Sequence, residues 1–241
     1  RENASGDLPK RSDQLGIKNY WKYTIISSAG YSKVKRVSIM KLSKDNSSVT
    51  GEKINLDCDS LGMSGGWTPV VHLFTQSGGK LDFNDKNFCF YPKKVTQDQI
   101  SIGSCNGTLH LNNIIKESME NTNQYLDQKY ERKIEINEPN EGNFENIWLL
   151  PSNKSLGKTK PFIDFQNDVT AKDIKLALRE GYKSIEHVKR YTTTGMATDQ
   201  GKIANMHALG IVSETTNTKM GALGTTTFRP PYTPLTFGAI V

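Results

Sequence analysis

The stretch KRYTTTGMATDQGK runs from Lys189 to Lys202. Thr192, Thr193 and Thr194 set three hydroxyls side by side, and Gly195 and Gly201 let a backbone come close to a bound group. Arg190 and Lys202 carry charge that pairs with phosphate. A helix starting at Thr198 would point its N-terminal N–H groups at the same anion. The same residues also describe a capped helix–loop–helix with no ligand, and the residue types alone leave both readings open.

Two further glycine turns have the character of a nucleotide site. SGGWTP places Ser64, Gly65, Gly66, Trp67, Thr68 and Pro69 after an apolar segment, and Pro69 fixes the exit from the turn. GSCNG places Gly103, Ser104, Asn106 and Gly107 between the short apolar run 100–102 and a helical pattern of Leu109, Ile114, Ile115, Ser118 and Met119. Strand, glycine turn and helix N-terminus together make an anion or ribose cradle. Taken alone, each is also an ordinary tight turn. As a pair they match the closing half of a two-dinucleotide-binding flavoprotein fold whose opening GxGxxG is absent here. They predict Gly65, Gly66, Trp67, Gly103, Asn106 and Gly107 around one cleft, with both turns at the same end of one sheet. Cys105 has no cysteine neighbour and reads as a small buried residue.

The elements that must position these groups follow from periodicity. Segments 21–30 and 33–43 are β-like, and a third strand is expected over 54–58. Residues 1–126 therefore read as a partial FAD/NAD(P)-binding-type domain. Residues 127–160 are rich in charge, Asn, Pro and Gly and read as a linker, with Trp148 and Leu149 docking on a neighbouring surface. Residues 161–215 read as a small helical domain. Thr170 caps a first helix with Asp173 in its first turn, Ile174, Ala177 and Leu178 form its apolar stripe, and Gly181 stops it. Ser184 caps a second helix bearing Ile185 and Val188, and Thr198 is expected to cap a third through Ala204, Leu209 and Ile211. Residues 216–241 read as a tail. The fold class is α/β plus α.

Composition removes several functions. The chain has 241 residues and a net charge of +6, from 31 Lys and Arg against 25 Asp and Glu. The charges are interspersed and no basic stripe carries interleaved aromatics, so nothing points to nucleic acid. No apolar run approaches the length of a membrane span, and RENASGDLPKRSD lacks the apolar core of a signal peptide. Cys58, Cys89 and Cys105 are odd in number and widely spaced, which argues against a disulfide framework and for the cytoplasm. His72, His110, His187 and His207 show no zinc-ligand spacing. The absent initiating Met and the apolar end suggest a piece of a longer chain.

Three long strings carry a family resemblance: CDSLGMSGGWTPVVHLFTQSGGKL (58–81), FIDFQNDVTAKDIKLALREGYKSIEHVKRYTTTGMATDQGKIAN (162–205) and GTTTFRPPYTPLTFGAI (224–240). They resemble the α subunit of heterotetrameric sarcosine oxidase. The resemblance implies the end of an NAD-binding region followed by a helical domain, with an aminomethyltransferase-like folate domain starting near residues 225–231. The helical part also resembles the ferredoxin-like [2Fe–2S] module of related amine and opine oxidases. That module needs four cysteine thiolates, and neither FIDFQND nor GMATDQGKIAN contains a cysteine, so the expectation is the scaffold without the iron.

The resemblance further implies a β subunit carrying FAD and a covalent FMN near the α/β contact, together with smaller subunits. The complete complex would oxidise sarcosine to glycine, hydrogen peroxide and a one-carbon unit accepted by tetrahydrofolate. Arg190, Thr192–Thr194, Gly195 and Lys202 would then line the FMN phosphate, while NAD would lie at Ser64–Pro69 and Gly103–Gly107. No residue of this chain is assigned a catalytic role, and the chain alone is expected to be inactive. The competing reading is a flavoprotein-derived scaffold that only holds subunits together. A disulfide-reductase-type NAD(P) enzyme is disfavoured because no CxxC occurs.

Overall fold

Alternating apolar and polar residues build the first sheet. In a computed structural model of the chain the described residues are 7–131, 134, 136, 145–152, 154–230, 233 and 235–241. After helix α1 (Asp7–Gln14), strands β1 (Tyr23–Gly30), β2 (Val34–Leu42) and β3 (Val49–Asp57) form an antiparallel sheet in the order β1–β2–β3. Ile39 of β2 stands opposite Ile25 on one side and Ile54 on the other. Val37 and Ile39 are buried two positions apart, and Leu42 is buried beyond the register shift between Ile39 and Lys41. Ser38 is buried among them, and its hydroxyl donates to Asn55 Oδ1 at 2.8 Å.

Helix α2 (His72–Gln76) precedes a hairpin of β4 (Lys80–Asn84) and β5 (Cys89–Lys94), in which Phe83 and Phe90 pack edge to face with centroids 4.9 Å apart. A 3-10 turn (Gly103–Asn106) leads into α3 (Leu111–Leu126), and the short helix α4 (Leu156–Thr159) follows. The two-rung ladder of β6 (Phe162–Asp164) and β7 (Val169–Thr170) opens the helical part: α5 (Ala171–Arg179), α6 (Ile185–Thr192), α7 (Ala204–Thr216) and α8 (Met220–Leu223). The start of α5 is fixed by Asp173, whose carboxylate accepts from the Thr170 N–H at 2.8 Å and the Thr170 hydroxyl at 2.7 Å. Its end is fixed at Gly181 (φ +97°), where the N–H of Gly181 reaches the Leu178 carbonyl and that of Tyr182 the Ala177 carbonyl. Ile174, Val188, Leu209 and Val212 are the buried centre of this part.

Several expectations are corrected. Every strand pair among the described residues is antiparallel and joins neighbours in sequence. The fold is a mixture of helices with small antiparallel sheets. Residues 100–102 are not a strand, and Ile100 is exposed. The β4–β5 hairpin was not anticipated. α7 begins at Ala204 rather than Thr198, whose hydroxyl is turned to Gln166 Oε1 at 3.2 Å. The chain divides into residues 1–66 with 138–158, and residues 67–137 with 159–241. Residues 67–126 thus group with the helical part and not with the first sheet. Part of the expected linker, 132–133, 135, 137–144 and 153, lies outside the described residues, as do 231–232 and 234 of the expected tail. Glu145, in the described remainder of the linker, accepts from Asn46 Nδ2 at 3.3 Å and lies 4.0 Å from Lys22 Nζ. Trp148 and Leu149 are half-buried.

Ile174 has no exposed surface and sits on the α5 face that packs on α7. Ile174→Ala should therefore destabilise the second unit by about 2–5 kcal/mol, read as a lower midpoint in chemical denaturation.

Candidate functional site

The Thr/Gly loop is shaped from inside by a carboxylate. Asp164, at the end of β6, is almost fully buried. Its Oδ2 accepts from the Gly195 N–H at 2.8 Å and from Asn167 Nδ2 at 3.4 Å, and its Oδ1 from the N–H groups of Gln166 at 2.9 Å and Asn167 at 3.0 Å. Asn167 Nδ2 also donates to the Thr193 carbonyl at 3.0 Å. Thr193 is the left-handed C-cap of α6 (φ 65°). The Thr192 hydroxyl donates to the Val188 carbonyl at 2.7 Å and lies 2.8 Å from the Thr194 hydroxyl.

The two glycines make room for a side chain of the protein itself. A Cβ at Gly195 (φ +70°) or Gly201 (φ +72°) would stand 2.2 Å or 2.1 Å from Asn205 Oδ1. Asn205, in the first turn of α7, fills the space that glycine leaves, and its Nδ2 donates to the Gln200 carbonyl at 3.3 Å. Thr194 is 2% exposed and Gly195 is buried. Along the loop Arg190 and Thr193 are exposed, Thr192 and Lys202 are half-buried, and Thr194 and Gly195 are internal. The Arg190 guanidinium lies 3.6 Å from the Glu186 carboxylate one turn earlier.

The second glycine turn has the same design. The Gly103 N–H donates to Glu117 Oε2 at 3.0 Å and Asn106 Nδ2 to Glu117 Oε1 at 2.6 Å. Burial alone would raise the Glu117 carboxyl, but these bonds hold it below the ordinary value. Gly107 (φ +84°) closes the turn through its N–H to the Ser104 carbonyl at 3.2 Å, and Ser104 is exposed. The first glycine turn is different. Ser64, Gly65 and Gly66 are exposed, nothing lies within 4 Å of a Cβ placed at either glycine, and Trp67 is 84% exposed. Thr68 is half-buried and Pro69 buried. Neither turn ends a strand. Ser64–Gly66 belong to the first unit and Gly103–Gly107 to the second.

Sequence reading missed a cluster around His72. Its Nε2 lies 3.3 Å from the Gln200 carbonyl, and its ring lies 3.8 Å from that of Phe228, tilted by 30°. Burial pushes the His72 pKa down, and Lys202 and Lys189 add to the shift, while the Gln200 carbonyl and Asp199 oppose it. Phe228 lies on a tail segment, 224–229, that α6 holds by its backbone. Lys189 Nζ donates to the Thr227 carbonyl at 2.9 Å, and the Thr227 N–H donates to the Glu186 carboxylate. The signal available in the sequence was the pair Glu186 and Lys189 on a helix whose neighbouring positions are apolar.

Residues 158–241 match the family model described as the sarcosine oxidase A3 domain. A sarcosine oxidase subunit alpha from Rhizobium meliloti (strain 1021) is 35% identical over 201 residues, covering 79% of this chain and 20% of that protein. The corresponding subunit of Corynebacterium sp. (strain U-96) is 32% identical over 198 residues, again 79% and 20%. The chain thus spans about a fifth of the length of the curated relatives it matches. Among solved structures, L-proline dehydrogenase from P.horikoshii has a TM-score of 0.66 at 19% identity, over 97% of this chain and 47% of that one, a likeness of fold.

Two outcomes follow from this geometry. Asp164→Ala leaves the buried Gly195 N–H without its acceptor and should cost about 1–3 kcal/mol, seen as a lower melting temperature and faster amide exchange at Gly195. His72, depressed by burial, gives stability that is complete above its ordinary value of 6.5 and falls as pH drops through the lower folded value. The melting temperature should therefore decline below about pH 6.5, and His72→Asn should flatten that decline.

Proposed function

From residues 158–241, which carry the sarcosine oxidase A3 domain, and a relationship to the alpha subunits of sarcosine oxidase along 79% of the chain, we propose that this chain serves as part of the alpha subunit of a flavoenzyme that oxidises sarcosine. It contributes a scaffold and one edge of an FMN phosphate site, completed by a β subunit. The groups that oxidise the amine, and the FAD and folate sites, belong elsewhere in the assembly. The single observation that carries this reading is the A3 match, which contains the whole Arg190–Lys202 loop.

The loop residues fit a phosphate only in part. Arg190 and Lys202 present two cations towards solvent or its margin, the Thr193 hydroxyl donates to the Thr192 carbonyl at 2.6 Å, and an exposed guanidinium 3.6 Å from a single carboxylate can exchange that pairing for a phosphate. Thr194 and the Gly195 N–H are committed to Thr192 and Asp164, so they hold the loop in shape and do not touch the ligand. A flavin bound there supplies the electron acceptor for oxidation of the amine, and this chain's share is charge and position. The NAD reading fits less well, because the Gly103 and Asn106 donors already face Glu117.

One observation favours the second reading, a scaffold without ligands. In two of the three glycine turns, at Gly195 and at Gly103, a carboxylate of the chain itself takes the donors expected to meet an anion. Reconstitution with the β subunit separates the two. Arg190→Ala or Lys202→Ala should reduce FMN retention by roughly tenfold or more, since a lost charge-assisted bond is worth about 1.5–3 kcal/mol, while the chain's own melting temperature stays within a few degrees. Unchanged flavin content in both variants would establish the scaffold.

A further inference from the structure

Of the four histidines only His72 is buried. It opens α2, is 4% exposed, and stacks on Phe228 of the tail segment. A carbonyl only accepts, so the Nε2 that faces the Gln200 carbonyl at 3.3 Å carries its hydrogen. Gln200 links this ring to the tail. Its backbone is left-handed (φ 51°), its Oε1 accepts from the Arg229 N–H at 3.3 Å, and its Nε2 donates to the Ala197 carbonyl at 3.0 Å. The strip 224–229 thus rests on His72 through Phe228, on Gln200 through Arg229 and on α6 through Thr227. Thr226 and Phe228 face inward, while Thr227 and Arg229 are exposed, so the strip has solvent on its outer side.

Protonation puts a full charge on that ring. The charged groups that face it are Lys202 and Asp199, ahead of α7, and Lys189 on α6: two cations against one acid. The wall it shares with Phe90, Leu209 and Phe228 is mostly apolar. A charge held there without a matching anion is costly, and lifting the strip wets the ring with the least disturbance of the helices beneath. The clasp at Thr227 does not titrate in the same range. Burial alone would raise the Glu186 carboxyl, but its bonds to Thr227 hold it below the ordinary value of 4.5. Arg229, on the strip itself, acts on Lys189. We propose that residues 224–229 are a pH-operated strap, closed over α2 and the start of α7 while His72 is neutral and lifted when His72 is charged, with Gln200 passing the change to Arg229. The strap needs neither flavin nor partner, so it and the flavin reading fail separately.

Burial holds His72 below its ordinary value of 6.5, with Lys202 and Lys189 adding to the shift. The closed strap is therefore fully stable above 6.5 and weakens as pH falls towards the lower value of the closed state. The test follows amide protection, corrected for the pH dependence of intrinsic exchange, in the purified chain between about pH 7.5 and 5. Thr227 and Arg229 should be protected at least about tenfold less than Leu209 and Val212 in α7, through an opening that low urea leaves unchanged. That protection should fall about threefold or more across the range, and the His72 ring should titrate below 6.5. His72→Gln keeps a donor for the Gln200 carbonyl but takes no proton, and it should hold the protection of Thr227 and Arg229 flat. Where that variant fails to fold, the wild-type comparison of strap with α7 decides. Protection at Thr227 and Arg229 that ignores pH, that falls equally in His72→Gln, or that matches Leu209 and Val212 in size and urea dependence each overturns the strap, the last by showing that the chain opens only as a whole.

Discussion

The Asp164 carboxylate is the constraint on which the helical part depends. Four N–H donors converge on it, from Gln166, Asn167 twice and Gly195. The first two close the turn between β6 and β7, so α5 starts where Thr170 and Asp173 cap it. The bond to Gly195 ties that turn to the exit of α6, some thirty residues further on. A buried carboxylate is tolerated only when its lone pairs are filled, and here three backbone N–H groups and the Asn167 side chain fill them. Remove the acid and both turns lose their reference point at once.

This arrangement explains why a loop can look like a ligand site and still be satisfied. Glycine turns expose N–H groups in a concave array, and any anion or carbonyl of the right size answers them. In this chain the answer comes from Asp164 and Glu117, and the space opened by Gly195 and Gly201 is filled by Asn205. Glycine is required at both positions for close approach, as the residue types indicate, but what approaches is the side chain of Asn205, in the first turn of α7. Of the loop's outer positions, Arg190 and Thr193 are exposed and Lys202 is half-buried.

Legibility in the sequence tracks how local the cause is. The first three strands, the cap at Thr170 and the stop at Gly181 were readable because alternation, a capping acid and a left-handed glycine act within a few residues. The α7 start at Ala204 was not. Thr198 has the right type for a cap, but its hydroxyl is drawn to Gln166 across the loop. The 80–94 hairpin was missed because its two short strands bury Cys89 and Phe90 on a satellite cluster with no long alternating pattern. The run 100–102 resembled a strand but has no partner strand among the described residues, and a strand without a ladder leaves its backbone to water. Of the candidate site, the charged and glycine positions were visible. The internal carboxylates and His72 were not, since they meet the loop from distant parts of the sequence.

The tail segment shows how the pieces combine. Burying Lys189 is costly, and burial lowers its pKa, with Glu186 opposing that shift. The pair recovers stability by clasping one residue from both sides, Lys189 at the Thr227 carbonyl and Glu186 at its N–H. The clasp holds Thr227 by its carbonyl, its N–H and its side chain, and uses none of the residues that flank it. Those flanking side chains, the Thr226 hydroxyl and the Phe228 ring, are thereby turned over to the interior. The clasp at Thr227 thus fixes a strip of chain whose neighbouring side chains, with His72, Lys202 and Asn205, line a mostly apolar cavity, and the groups that hold the tail are not the groups that line it.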